Sequence, residues 1–174
     1  LKSLREATAD DMAAIHAERI SIPARILIGP VADVESSDPL VSKAKDLLMA
    51  WNGSMEVYDV APTVFAAYRG RLLERVIRQQ VGPLTEDMLS ASGRGAPNHL
   101  QQLATQLNSA VDSDDISMLP EGLPEGEDWS SLAHQALTDG VADLRRDLGE
   151  DMDNWIWGKV HATRPVHPLS TIFP

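Results

Sequence analysis

Apolar residues recur at three- and four-residue steps through most of this chain, which is the spacing of one face of an α-helix. The clearest stretch is SSDPLVSKAKDLLMAWNG, in which Asp38 suits the N-cap and Pro39 the first helical position. Asn52 and Gly53 then suit the end of the helix. The pattern predicts an amphipathic helix that buries one stripe. That stripe consists of Leu40, Ala44, Leu47, Leu48 and Trp51.

Similar signals divide most of the remaining chain into helices. Thr8 suits the cap of a helix that extends to Ile20, and Pro23 begins another that is stopped at Gly29-Pro30. We therefore predict about six helices, with no internal repeat and no strand before the end of the chain. The fold class is mainly α, and as a self-standing domain it would be an irregular helical bundle. The other predicted helices are one capped by Asp59, with Val64, Phe65, Tyr68, Leu72, Leu73, Val76 and Ile77 on its buried face, one marked by Leu100, Leu103 and Leu107 that ends near Asn108, and one from Asp128 to Gly149.

Composition excludes several classes of protein. The net charge of -11 argues against a nucleic-acid partner, because binding to the phosphate backbone comes chiefly from clustered Lys and Arg. The absence of cysteine removes thiol nucleophiles, thiolate metal sites and disulfides together. No apolar run reaches the roughly 20 residues of a membrane-spanning helix, so we predict no membrane span.

Two charged clusters invite a functional reading. An arginine-rich face of the helix after Asp59 could bind an acidic partner, but long charges opposite an apolar stripe favour a solvated face. The acidic segment with Asp112, Asp114 and Asp115 is similar to a calcium loop, yet the required glycine and closing glutamate are misplaced, which favours a solvated loop. The arginine-rich face consists of Arg69, Arg71, Glu74, Arg75 and Arg78.

The stretch DNWIWGKVHATRPVHPLS could hold a metal or a catalytic group. It offers two imidazoles, His161 and His167, with Asp151 and Asp153 as the nearest carboxylates, whereas a zinc site needs three or four well-placed ligands. It also lacks the Gly-x-Ser-x-Gly pattern of a nucleophile elbow. Its tryptophans favour a chain that turns from a helix into a short strand while the indoles dock on a core.

This stretch resembles the penicillin acylase family, in which a helix leads into Trp-x-Trp-Gly-x-x-His and then His-Pro-Leu. TADDMAAIHAERISIPARILIGPV resembles the paired helices of that family, AKDLLMAWNGSM its helix ending in Trp-Asp-Gly, and VAPTVFAAYRGRLLERVI the next helix. The family usually has Asp where this chain has Asn52. The resemblance covers nearly the whole chain, and it implies structural or domain-joining roles for the matching positions. These are Trp51, Gly53, Trp157, Gly158, His161, His167 and Pro168.

The resemblance implies an N-terminal nucleophile amidohydrolase of α/β/β/α fold. Members cut themselves from precursors, expose a Ser at the start of the large subunit, use its α-amine as the general base, often bind a structural calcium, and are often periplasmic. The family's nucleophile, oxyanion Asn and calcium ligands would all lie upstream of Leu1, so no catalytic, cofactor or metal residue is assigned to this chain. The substrate would be an acylated amine, such as a β-lactam or an acyl-homoserine lactone.

In that family, this chain would be a helical piece of the large subunit. The implied partners are the small subunit and the rest of the large subunit, and the start at LKSLREATADDM and the end at STIFP fit a piece of a longer polypeptide. Residues 1–150 would be the helical region, and residues 151–174 would return to the sheet core. An apolar face exposed from Trp155 to Phe173 would follow. The alternatives are a small helical binding module without catalytic activity and a two-histidine metal protein.

Overall fold

A computed structural model describes residues 6–86, 96–119 and 128–162. The predicted mainly α class is confirmed, since these residues form α-helices and short 3-10 helices and contain no β-strand. The β-bridge found in these ranges is an isolated antiparallel one between Ile20 and Ser54. The α-helices are α1 (Ala9–His16), α2 (Ile22–Leu27), α3 (Pro39–Ala50), α4 (Ala61–Val81), α5 (Ala96–Asp112), α6 (Trp129–Leu148) and α7 (Trp157–Val160), and the 3-10 helices are Gly29–Asp33, Gly82–Leu84, Ile116–Met118 and Met152–Asn154.

The long helices α4 and α6 form the centre of the bundle. Gly140 of α6 lies against α4 so closely that an added Cβ would be 3.0 Å from the Tyr68 backbone nitrogen. Tyr68 is fully buried, and its hydroxyl donates a 2.8 Å hydrogen bond to the Leu27 carbonyl oxygen, which joins α4 to α2. Burial raises the pKa of Tyr68 well above its ordinary value, so the phenol stays neutral. The helices around this pair contribute to one continuous apolar core.

Several helix ends agree with the sequence predictions. Asp38 accepts a 2.9 Å bond from the Leu40 N–H, and Asp128 accepts a 3.0 Å bond from the Ser131 N–H, as N-cap carboxylates do. Gly149 ends α6 with φ 91°, in the left-handed region that favours glycine.

Other boundaries were predicted wrongly. Asp59 does not cap α4: the preceding residue is Val60, which makes no side-chain capping bond, and a proline stands in the first turn instead. The stop predicted at Gly29-Pro30 is, by contrast, confirmed, because α2 ends at Leu27 and the 3-10 helix Gly29–Asp33 then begins. The first helix ends at His16, short of Ile20, and α5 continues past Asn108 to Asp112.

The prediction of a solvated arginine face is wrong for the residues that point toward α6. Arg71 donates a 2.6 Å bond to Asp143, and that bond raises the pKa of its guanidinium. Arg75 donates to Gln135 at 2.9 Å and also pairs with Asp139. These side chains therefore link the two central helices.

Each of the helices within the described ranges is too short or too polar to span a lipid bilayer.

Candidate functional site

The first tryptophan–glycine motif forms a tight turn after α3. The Trp51 indole N–H donates a 2.9 Å bond to the Ser54 carbonyl oxygen, and its ring centroid lies 5.6 Å from that of Phe65. The Asn52 side-chain oxygen accepts a 2.8 Å bond from the Ser54 N–H, while Gly53 has φ 87°. An Asp side chain could accept the same bond, so this turn tolerates Asn52 in place of the Asp that the resemblance led us to expect.

This turn pairs with the connection between α1 and α2. The Ser21 N–H donates to the Gly53 carbonyl oxygen at 2.8 Å, and the Met55 N–H donates to the Arg19 carbonyl oxygen at 3.0 Å. Hydrogen bonds from the Ser54 hydroxyl and from the Arg19 guanidinium hold the pKa of the Glu56 carboxyl below its usual value. The chain next to the isolated bridge at Ser54 is therefore bonded to the connection between α1 and α2 at several points.

The second motif begins with a buried tryptophan. Trp155 is 0% exposed, and its indole N–H donates a 3.0 Å bond to the Gly149 carbonyl oxygen. The expectation that an exposed apolar face begins at Trp155 is therefore wrong for that residue. The predicted short strand is also wrong within the described residues, where the 3-10 helix Met152–Asn154 leads into α7.

The second motif docks on the chain that follows the first. The Trp157 N–H donates to the Asp59 carbonyl oxygen at 2.9 Å, and the Gly158 N–H donates to the Val57 carbonyl oxygen at 2.8 Å. A Cβ added at Gly158 would be 2.8 Å from the Val57 carbonyl oxygen, so only glycine fits this approach. We call residues 51–59 with residues 155–161 the motif junction.

His161 lies at the edge of the motif junction. Its imidazole stacks on the Trp157 indole, with ring centroids 4.3 Å apart and planes inclined by 8°. The neighbouring carboxylates have other partners, since Asp151 accepts from the Asn154 amide at 2.7 Å and Asp153 pairs with Lys43 at 2.9 Å. His161 is thus placed as a packing group.

No metal cluster is formed by the His, Cys, Asp and Glu side chains of the described ranges. In the acidic segment, Asp115 caps the 3-10 helix Ile116–Met118 by accepting a 2.9 Å bond from the Ser117 N–H. That backbone bond is the main reason why the pKa of Asp115 is lowered. The other two matched positions, His167 and Pro168, lie outside the described residues.

Sequence reasoning missed the middle of the motif junction. Val57 and Asp59 take part through backbone carbonyl oxygens, which every residue type carries, so their side chains give no signal.

An open groove of about 390 Å³ lies beside this loop and is bordered by Trp51 and Tyr58. Tyr58 is 86% exposed, so the junction presents an aromatic surface.

The fold and the motif junction define the described part of the chain as a helical framework in which the motif residues pack and orient the backbone. A model of the penicillin amidase family matches residues 1–174. The chain belongs to the penicillin amidase family.

A similar protein is the penicillin acylase 2 proenzyme of Pseudomonas sp. (strain SE83), which is 27% identical over 170 residues. The matched region covers 95% of this chain and 20% of that relative. The chain therefore spans only about one fifth of that relative's length, since the match covers 20% of it.

Proposed function

We propose that this chain is a helical part of an amidohydrolase of the penicillin acylase type. The observation that carries the proposal is the family match over residues 1–174, together with the packing roles of the matched residues in the motif junction. Trp51, Gly53, Trp157 and Gly158 all stabilise backbone turns or close approaches, as a shared framework requires. In this proposal the chain supplies the framework, and the reaction centre lies outside it.

The proposed reaction is cleavage of an amide bond between an acyl group and an amine. The nucleophile would be the hydroxyl of an N-terminal Ser outside this chain, with its own α-amine, of pKa about 8, as the general base. Donors of an oxyanion hole would stabilise the tetrahedral intermediate. The substrate class is an acylated amine, such as a β-lactam or an acyl-homoserine lactone.

The contacts of the arginine-rich face favour this proposal over a binding module for an acidic partner. Arg71 and Arg75 already bind carboxylates of α6, and Arg78 donates to Glu74 and Glu86 at 2.7 and 2.8 Å. Those pairs would have to be broken before an external acidic group could bind these three arginines. The acylase proposal needs no such rearrangement.

The first experiment isolates the native protein from its own cells, then measures the masses and N-terminal residues of its chains and assays a panel of acyl anilides. We expect a longer chain that begins with Ser, a smaller partner chain, and hydrolysis of at least one anilide. A mature product near 19.0 kDa that begins at Leu1 and hydrolyses none would refute the proposal.

Two further parts of the proposal concern the whole protein. We place it in the periplasm, which cell fractionation tests, and we assign it a structural calcium held outside this chain. Elemental analysis of the purified native protein tests the calcium. A protein that copurifies with cytoplasmic markers contradicts the periplasmic location, and one without stoichiometric calcium contradicts the calcium assignment. Neither result bears on the amidase assignment, which the anilide assay tests.

A further inference from the structure

The turn at residues 52–54 carries an unusual combination of reactive groups. Asn52 is exposed and is followed by Gly53, and no other asparagine in the sequence precedes a glycine. The nitrogen of a residue after asparagine can attack the side-chain amide carbon, and a glycine there adds no side chain to obstruct the attack. The sequence therefore provides a nucleophile and an electrophile on adjacent residues.

Two features of the hydrogen bonding here favour attack of the Gly53 nitrogen on the side-chain amide carbon of Asn52. Among the described residues, none accepts a hydrogen bond from the Gly53 N–H, so its deprotonation breaks no internal bond. The Ser54 N–H donates to the Asn52 side-chain oxygen at 2.8 Å, at the atom where negative charge develops when the carbon is attacked. A donor held at that atom stabilises the tetrahedral intermediate, as in an oxyanion hole.

We propose that Asn52 is a site of spontaneous deamidation in the folded protein. The Gly53 nitrogen loses its proton and bonds to the Asn52 Cγ, and the bond from Cγ to Nδ2 breaks. The nitrogen leaves as ammonia after it takes up a proton from solvent. Water then opens the cyclic imide at Cγ to give Asp, or at the backbone carbonyl carbon to give isoaspartate.

The two products affect the motif junction differently. Asp at position 52 can still accept the bond from the Ser54 N–H, which becomes charge-assisted. Isoaspartate lengthens the main chain by one methylene group and displaces the Gly53 carbonyl oxygen from the Ser21 N–H, now 2.8 Å away. Deamidation through isoaspartate therefore loosens the contact between this turn and the connection from α1 to α2.

Asn154 provides an internal control in the same molecule. It is also exposed, but Trp155 follows it and its amide nitrogen donates to Asp151 at 2.7 Å. The attacking N–H is already bonded to the Met152 carbonyl oxygen at 3.0 Å. We expect Asn52 to convert on the order of tenfold faster than Asn154 or more.

The test incubates the native full-length protein at neutral and at mildly alkaline pH and follows peptides around both asparagines by mass spectrometry. We expect Asn52 to convert well ahead of Asn154, and to convert faster at the higher pH because the attacking nitrogen must lose its proton. Fragmentation distinguishes Asp from isoaspartate, and N52Q is the matched variant because its attack needs a larger ring. An amide that stays intact at Asn52 in the folded protein overturns the proposal, whether or not a denatured sample converts.

Discussion

Replacing Gly158 by alanine is the sharpest test of the motif junction. The added Cβ would lie 2.8 Å from the Val57 carbonyl oxygen and 3.3 Å from the Val57 Cβ. The nearer atom belongs to the backbone, so rotation of a side chain cannot relieve the contact. Gly158 is not among the glycines with positive φ, so alanine meets no backbone strain of its own and the effect is purely steric.

The expected loss of stability in G158A combines two destabilising contributions and one stabilising contribution. Forcing a methyl group into a packed site costs about 1–3 kcal/mol. Lengthening the bond from the Gly158 N–H to Val57, now 2.8 Å, removes a contribution of about 0.5–1.5 kcal/mol. The preference of helices for alanine returns at most about 1 kcal/mol, because α7 is a single turn. We expect the junction to lose about 2 kcal/mol of stability.

Hydrogen exchange at the amides of residues 157 and 158 is the appropriate measurement, because the junction can open without unfolding the core. A loss of about 2 kcal/mol lowers protection there about 30-fold. G70A in α4 is the matched control, since a Cβ at Gly70 meets nothing within 4 Å and should stabilise the chain slightly. Unchanged protection in G158A, or a gain like that of G70A, would refute the steric argument.

Two further predictions concern charged groups. Replacing Arg71 by methionine should cost up to about 1 kcal/mol in denaturant unfolding, because the carboxylates of Glu74 and Asp143 each lose one of two ion-pair partners. R69M is the control because Arg69 makes no ion pair with a described residue, and equal effects would contradict the prediction. The hydrogen bond from the Leu40 N–H is the main reason, and the bond from Arg145 a further one, why the pKa of the Asp38 carboxyl lies below 3.8 in the folded protein. The stability that Asp38 contributes is therefore present above pH 3.8 and is lost as the pH falls through the pKa of the folded state. D38N keeps the cap but should flatten this acid dependence of stability, and an unaltered dependence would count against it.

Features whose partners lie nearby in the chain could be predicted from the sequence. Asp38 and Asp128 bind backbone N–H groups two and three residues away, and Gly149 supplies the left-handed residue that ends its own helix. The apolar stripes likewise predict which helix faces are buried, because burial favours one face at each helical period. These signals were sufficient for the mainly α class and for the strongest helices.

Features that depend on distant partners could not be predicted in this way. Arg71 looks like a solvated charge until α6 is known to bring Asp143 within 2.6 Å of it. Trp155 looks like the start of an exposed segment until the Gly149 carbonyl oxygen is found beneath its indole at 3.0 Å. In each case the residue type fits both outcomes, and only the tertiary neighbour decides between them.

The motif junction shows why matched family positions can be recognised before their role is understood. The contact requires glycine at position 158, because an added Cβ would lie 2.8 Å from the Val57 carbonyl oxygen, whereas any residue at position 57 would provide that oxygen. At position 158 the contact therefore depends on the residue type, whereas at position 57 it depends only on the position of the backbone. It follows that the Val57 side chain can vary without loss of this hydrogen bond, while a methyl group at Gly158 costs the junction about 2 kcal/mol.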